Sequence, residues 1–294
     1  MQASFVLLLA GCTKTQTSEN EIILNQKSPA ATQLVDGQAD AVEVYMAEYI
    51  TDLGSQQIGQ TVFFKDVGNK QLGADFVPGD PRKGGRVNIT YAVDNGTTSD
   101  NGLNLAQTTA AIDNAMATWD AENCSDLNMT KIPYGGNLGY YSALLGFGGN
   151  GAFVADVQHS GFLPAAFFNA LAPGGGSFIL GVTFTLVFTS GGVPTDIDRN
   201  GLPDVAFREI YYNDAFTWRT NSGNGVDLET IALHEAGHGL SQAHFGKAFV
   251  TNANDKLHFA PRAVMNAAYA GIQRSLLGTD GGGHCSNWAS WPNK

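Results

Sequence analysis

Apolar residues recur along this chain with two different periods. From Arg86 to Val93 they alternate with polar ones, which predicts a strand. Between Leu105 and Glu122 the residues Ile112, Ala115, Met116 and Trp119 fall three or four apart, which predicts a helix with one buried face. Phe153–Val157, Phe178–Phe188 and Val205–Tyr212 predict further strands. A second helix is predicted after Asp227, whose carboxylate can accept the free backbone N–H groups of a first turn. Upstream, Ala41–Ile50 is predicted as a helix and Thr61–Phe64 as a strand. Strands and helices interspersed in this way point to an α+β fold. No internal repeat is present.

The Pro78-Gly79-Asp80-Pro81 cluster, followed by Lys83-Gly84-Gly85, marks a boundary. It divides the chain into 1–12, a short apolar leader; 13–81, a polar tether with an N-terminal extension or propeptide; and 82–294, the main domain. The 294 residues are ample for a sizeable core. The net charge of −11 argues against a nucleic-acid partner, because phosphates are held by Lys and Arg. Phe178–Phe188 is interrupted by Thr183 and Thr185, and no stretch is long enough to span a membrane.

Phe5-Val6-Leu7-Leu8-Leu9-Ala10-Gly11-Cys12 ends in small residues and a Cys. It resembles the lipobox of bacterial lipoproteins, which implies a lipid on Cys12; a cleaved secretory leader with an incidental Cys is the alternative. Either places the protein outside the cytoplasm, lipid-anchored to the envelope or secreted. Membrane contact is then expected only through that anchor. In an oxidising compartment the remaining cysteines, Cys124 and Cys285, are expected to pair.

Three of the six histidines lie in His234-Glu235-Ala236-Gly237-His238-Gly239-Leu240-Ser241-Gln242-Ala243-His244. On a helix, His234 and His238 project from one face, one turn apart. Neutral imidazoles so placed can take two corners of a zinc tetrahedron, and a turn after Gly239 can bring His244 to a third. Glu235 lies beside the first ligand and can take a proton from an attacking water.

Together with Met265 in Ala263-Val264-Met265-Asn266-Ala267-Ala268-Tyr269, this stretch resembles the metzincin peptidases, and among them the matrixins: HExxHxxGxxH, then a tight turn with a Met beneath the metal. The resemblance covers about residues 82–275. It implies a twisted, mostly parallel sheet, an active-site helix and a Met-turn. It also implies one catalytic Zn2+ held by His234, His238 and His244, with Glu235 as the base. The strand around Phe178–Phe188 would pair, as a sheet edge, with an extended protein or peptide substrate. A pocket behind the metal, formed partly by residues between His244 and Met265, would set specificity. The chain departs from the family in two places. Ser241 stands where the motif has Gly, and twenty residues separate His244 from Met265, which implies an inserted loop.

Asp196-Ile197-Asp198-Arg199-Asn200-Gly201-Leu202-Pro203-Asp204 matches a calcium-loop pattern, with Asp196, Asp198, Asn200 and Asp204 as oxygen donors and Gly201 at the turn. Phe207 stands where an EF-hand has its bidentate Glu, so a loop rather than a full EF-hand is expected. His159 is read as a strand residue near the cleft, and His258 and His284 as surface or packing residues. If a carboxylate holds the enzyme latent, Asp75 and Asp80, just ahead of the main domain, are the candidates.

The expected function is that of an exported, monomeric zinc endopeptidase. Its rival is a non-catalytic, metal-stabilised surface binding module with a peptidase-like fold, which has no need of Glu235. A peptidase with a downstream Glu ligand is disfavoured, because no Glu follows His244.

Overall fold

The computed structural model describes residues 31–35, 38–52, 61–63, 72–96, 98–250 and 257–293. Cys12 and the leader, like the polar stretch after them, lie outside these residues. The chain runs through β1 (Ala31–Val35), β2 (Gln38–Asp52), β3 (Thr61–Phe63), β4 (Thr90–Val93), α1 (Leu105–Asp120), β5 (Thr130–Lys131), α2 (Tyr140–Leu144), β6 (Val157–Leu163), α3 (Ala165–Leu171) and β7 (Ile179–Ser190). It continues through β8 (Val193–Pro194), β9 (Val205–Asn213), β10 (Trp218–Arg219), β11 (Val226–Asp227), α4 (Leu228–Gly239), β12 (Lys247–Val250), β13 (Leu257–Ala260), β14 (Ala268–Tyr269) and α5 (Gly278–Trp288).

The fold is α+β around one large sheet, ordered β1-β2-β7-β9-β6-β4-β5, with β3 and β14 also on β2 and β8 on β7. β9, β6, β4 and β5 run parallel, and β7 is antiparallel to β9. Helices cover both faces, so β7 is buried from Ile179 to Thr189 and its sequence reads as a nearly continuous apolar run. On one face α1 and α4 pack Ile112, Met116, Trp119, Ile231 and Ala236 against Val157, Ile210 and Tyr212. On the other, α2 and α3 set Tyr141, Phe167 and Phe168 against Phe184 and Tyr211.

α1 starts at Asn104, whose side chain accepts from Gln107 N while the Gln107 side chain accepts from Asn104 N. Its buried residues, Ala111, Ile112, Ala115, Met116 and Trp119, keep the expected spacing. α4 starts where expected, with Asp227 Oδ1 accepting from Thr230 N at 3.0 Å. Cys124 and Cys285 form a disulfide, Cα–Cα 5.5 Å, that ties the end of α1 to α5. No helix among the described residues is long and apolar enough to cross a membrane.

Three expectations fail here. Ala41–Ile50 is the heart of strand β2, not a helix. Its apolar positions suit either period, and ten register positions against β7 decide the matter. β7 is consequently no edge, because β2 pairs along almost its whole length. The third failure is Phe153–Val157, where the strand begins only at Val157. Asp156 just before it turns its carboxylate onto Thr90 N (2.8 Å), Lys83 (2.8 Å) and Arg86 (2.7 Å) instead of extending the ladder.

The N-terminal segment shares the core of the rest. Tyr45, Met46, Ile50, Leu72, Ala74 and Phe76 belong to the same apolar cluster as Trp119 and Met265.

Candidate metal centre and cleft

α4 is buried on every side, and it carries His234, Glu235 and His238 into the protein interior. The chain reverses after it through Ser241, which adopts φ +67°, the left-handed conformation expected of the Gly it replaces. Arg208 holds that reversal. Its guanidinium, fully buried, donates to Ser241 Oγ (2.8 Å), Gly239 O (3.1 Å), Ala74 O (3.0 Å) and Thr185 Oγ1 (3.1 Å). Sequence reasoning missed Arg208; an isolated Arg in a strand reads as an exposed charge.

The reversal returns His244 to the other two histidines. The three Nε2 atoms lie 3.0, 3.0 and 3.1 Å apart. Each Nδ1 faces outward. His234 Nδ1 donates to Val264 O (2.7 Å), His238 Nδ1 donates to Gln242 O (2.7 Å), and His244 Nδ1 lies 3.5 Å from Glu48 Oε2. The outward protons leave three lone pairs converging on one point. Burial pushes the imidazoles toward the neutral form, His234 to about 4 and the other two well below their usual range. Three neutral nitrogens about 3 Å apart repel one another unless a cation sits between them. The spacing approaches the roughly 3.3 Å edge of a tetrahedron with 2.0 Å zinc–nitrogen bonds. The residues therefore fit a metal ion.

Met265 is 1% exposed and packs against Gly237 of α4. A Cβ on Gly237 would come within 2.3 Å of its Sδ and 2.9 Å of Trp119, so only Gly lets the thioether this close to the helix. Asp280 at the start of α5 accepts from Val264 N (3.0 Å) and Met265 N (3.1 Å), which fixes the turn. The inserted stretch before it contains the β12–β13 hairpin.

Glu235 is fully buried. Its Oε2 accepts from Thr183 Oγ1 at 2.6 Å, and its Oε1 has no hydrogen-bond partner. Burial, with the nearby Glu48 adding to it, holds this carboxyl well above the usual range, while Thr183 opposes the shift. Gly181 on β7 makes room for it: a Cβ there would lie 3.0 Å from Oε1. A small cavity of about 20 Å3 is lined by Ile50, Thr230, His234, Val264, Ala268 and Tyr269, among others. His234 is one of its lining residues, and residues 266–273 form more of its wall than those before Met265. A larger cavity near Tyr134, Ser142 and Ser160 holds none of these groups.

Glu48 is the second residue missed. The signal was its place as a lone charge within Val44-Tyr45-Met46-Ala47-Glu48-Tyr49-Ile50. Asp75 and Asp80 play other parts. Asp80 pairs with Arg82 (2.8 Å), and Asp75 joins its backbone to Asp204 and accepts from Phe76 N.

Asp196, Asp198 and Asp204 do come together, one carboxylate oxygen of each within 4.8 Å of the others. Asp204 is buried and also pairs with Arg82 (2.9 Å). Asn200 donates its side-chain amide to Asp198 (3.2 Å). Phe207 is buried in the sheet. Glu209 faces α2, accepting from Tyr140 N and Tyr141 N at 2.8 Å each. His159 is fully buried in β6, with Nδ1 2.8 Å from the Tyr212 hydroxyl, and it does not join the three-histidine cluster. His284 is buried as well, stacked on Trp119 with ring centroids 5.4 Å apart, and His258 stacks on Phe249 at 5.6 Å.

No protein-family model matches the chain, and no curated protein is significantly similar to it.

Proposed function

We propose that the chain is a zinc-dependent endopeptidase of the metzincin type. The observation that carries this reading is the buried triangle of outward-protonated histidines beside an equally buried glutamate. His234, His238 and His244 would hold a zinc ion, which would supply Lewis-acid polarisation of a peptide carbonyl and ease deprotonation of water. Glu235 accepts the proton of the attacking water and passes it to the leaving amine. Its free Oε1 is the atom positioned for that transfer. The raised pKa of Glu235 belongs to the cation-free site, and a dication beside it draws the carboxyl back toward the ionised form. Met265 and Gly237 set the floor of the site.

The disulfide suits an extracytoplasmic location, anchored or secreted. The test is zinc content measured alongside peptide hydrolysis, with and without a chelator. Glu235→Gln should keep stoichiometric zinc and lose at least about 100-fold in kcat/KM. A zinc-loaded Glu235→Gln protein of full activity would refute the mechanism.

A further inference from the structure

β2 runs antiparallel to β7 as an extended strand, with Glu48 opposite Thr183, Tyr49 opposite Val182 and Ile50 opposite Gly181. Thr183 and Gly181 are the β7 residues that touch Glu235. Beyond Ile50 the strand is gripped on both sides. Thr51 and Asp52 pair with Ala268 and Tyr269 of β14, Thr51 Oγ1 donates to Ala267 O (3.3 Å), and Asp52 N donates to Phe178 O (2.9 Å). Glu48 lies at His244, while Ile50, 2% exposed, lines the same cavity as His234. Residues 48 and 50 therefore bring this strand up to two of the three histidines, His244 and His234. The space left in the cavity is about 20 Å3, room for little more than one water, so Ile50 already fills it.

We infer that residues 48–52 lie in the cleft as a substrate does, and that the chain's own site cuts the Tyr49–Ile50 bond. This rests on the peptidase reading above. Ile50 pairs with Gly181, the residue against which Glu235 Oε1 packs, so the Ile50 nitrogen is the leaving amine on the side of that carboxylate. Water oxygen bonds to the Tyr49 carbonyl carbon and the C–N bond to Ile50 breaks. One water proton passes through Glu235 to the Ile50 nitrogen. The products are a Tyr49 carboxylate and a new N-terminus at Ile50.

A blocking carboxylate is the competing account of this strand, and the position of Glu48 speaks against it. Glu48 meets His244 at Nδ1, the nitrogen that faces away from the metal position. It is not among the ligand atoms that converge there.

The test uses the full chain, loaded with zinc and incubated, and read by intact mass and N-terminal sequencing. A species starting at Ile50 should appear at a rate independent of protein concentration. It should form at least 100-fold more slowly in Glu235→Gln, about tenfold more slowly in Ile50→Ala, and within threefold of the wild-type rate in Ile50→Leu. In the uncut Glu235→Gln protein, hydrogen exchange should show the amides of residues 48–51 protected, an outcome that does not depend on turnover. A chain that hydrolyses an added peptide of residues 44–52 yet stays whole itself, or is cut elsewhere, overturns self-cleavage and leaves the peptidase reading standing. So does a rate that rises with protein concentration. Amides 48–51 that exchange as in an unfolded chain overturn the seating of β2. A zinc-loaded chain that cuts neither itself nor the peptide overturns both readings.

Discussion

Ser241 offers a quantitative test of how the third ligand is placed. Its φ of +67° costs an L-residue about 1–2 kcal/mol, a cost glycine escapes. Against this, Ser241 Oγ accepts a 2.8 Å hydrogen bond from the buried Arg208 guanidinium, and a bond to a charged donor contributes about 1.5–3 kcal/mol. The lower end applies, because the same Nη1 still donates to Gly239 O when the hydroxyl is gone. Ser241→Ala keeps the strain and loses the bond, so it should destabilise by about 2 kcal/mol. Ser241→Gly loses the bond and relieves the strain, less some added freedom in the unfolded chain, and should cost about 1 kcal/mol. The order wild type, then Gly, then Ala is the prediction, with Ala about 2–4 °C below Gly in Tm. Denaturant unfolding of the metal-free proteins measures it without contribution from zinc binding. Zinc affinity by chelator competition should fall in the same order, since a looser reversal holds His244 less firmly. Ala as stable as Gly would show that the left-handed conformation carries no strain. Gly more stable than wild type would show that the Arg208 bond contributes less than the strain that glycine relieves.

Removing the disulfide by Cys124→Ser with Cys285→Ser opens a loop spanning 161 residues, which chain entropy rates at about 5 kcal/mol; thermal unfolding with and without reductant checks this. His284, buried against Trp119, has its pKa pushed down by burial to about 4. Below about pH 6.5 the unfolded chain takes up a proton that folded His284 refuses, so stability should fall between pH 6.5 and 4, by up to about 3 kcal/mol. His159, pushed to about 3 by burial and secondarily by Lys131, adds to the loss in the same window. His284→Gln should flatten the dependence of Tm on pH there, and an unchanged slope would refute the assignment. At the Asp196, Asp198 and Asp204 cluster, millimolar calcium should raise Tm and Asp198→Ala should abolish the increment; no calcium response would leave the loop a plain turn.

The centre was legible because its parts are local. His234, Glu235 and His238 share one helix whose cap, Asp227, is itself a sequence signal, and His244 follows within one reversal. Strand β2 was not legible, because Ala41–Ile50 suits a helix as well as a strand until β7 is known to offer it an open side. For the same reason Phe178–Phe188 was readable as a strand but not as an interior one. Its burial on both faces follows from the apolar run, whereas its neighbours along the sheet do not. Asp156 shows the remaining kind of failure: a buried carboxylate that satisfies a neighbouring strand's N–H ends a pattern that alternation alone would continue.

The three histidines also differ in what holds them, and this follows from the outer hydrogen bonds. His234 donates to Val264 O, in a turn that Asp280 fixes through two backbone N–H groups. His238 donates to Gln242 O, within the reversal that Arg208 grips. Both supports are backbone carbonyls set by buried side chains of the fold. His244 leans at 3.5 Å on Glu48, a side chain from β2. Outer partners of this kind orient a metal-binding imidazole, and losing one lowers metal affinity about 10–100-fold. Departure of β2 would remove support from His244 alone. On the proposed reading the third histidine is therefore the one whose hold on a metal would be coupled to the position of β2, while the pair on α4 would keep its geometry either way.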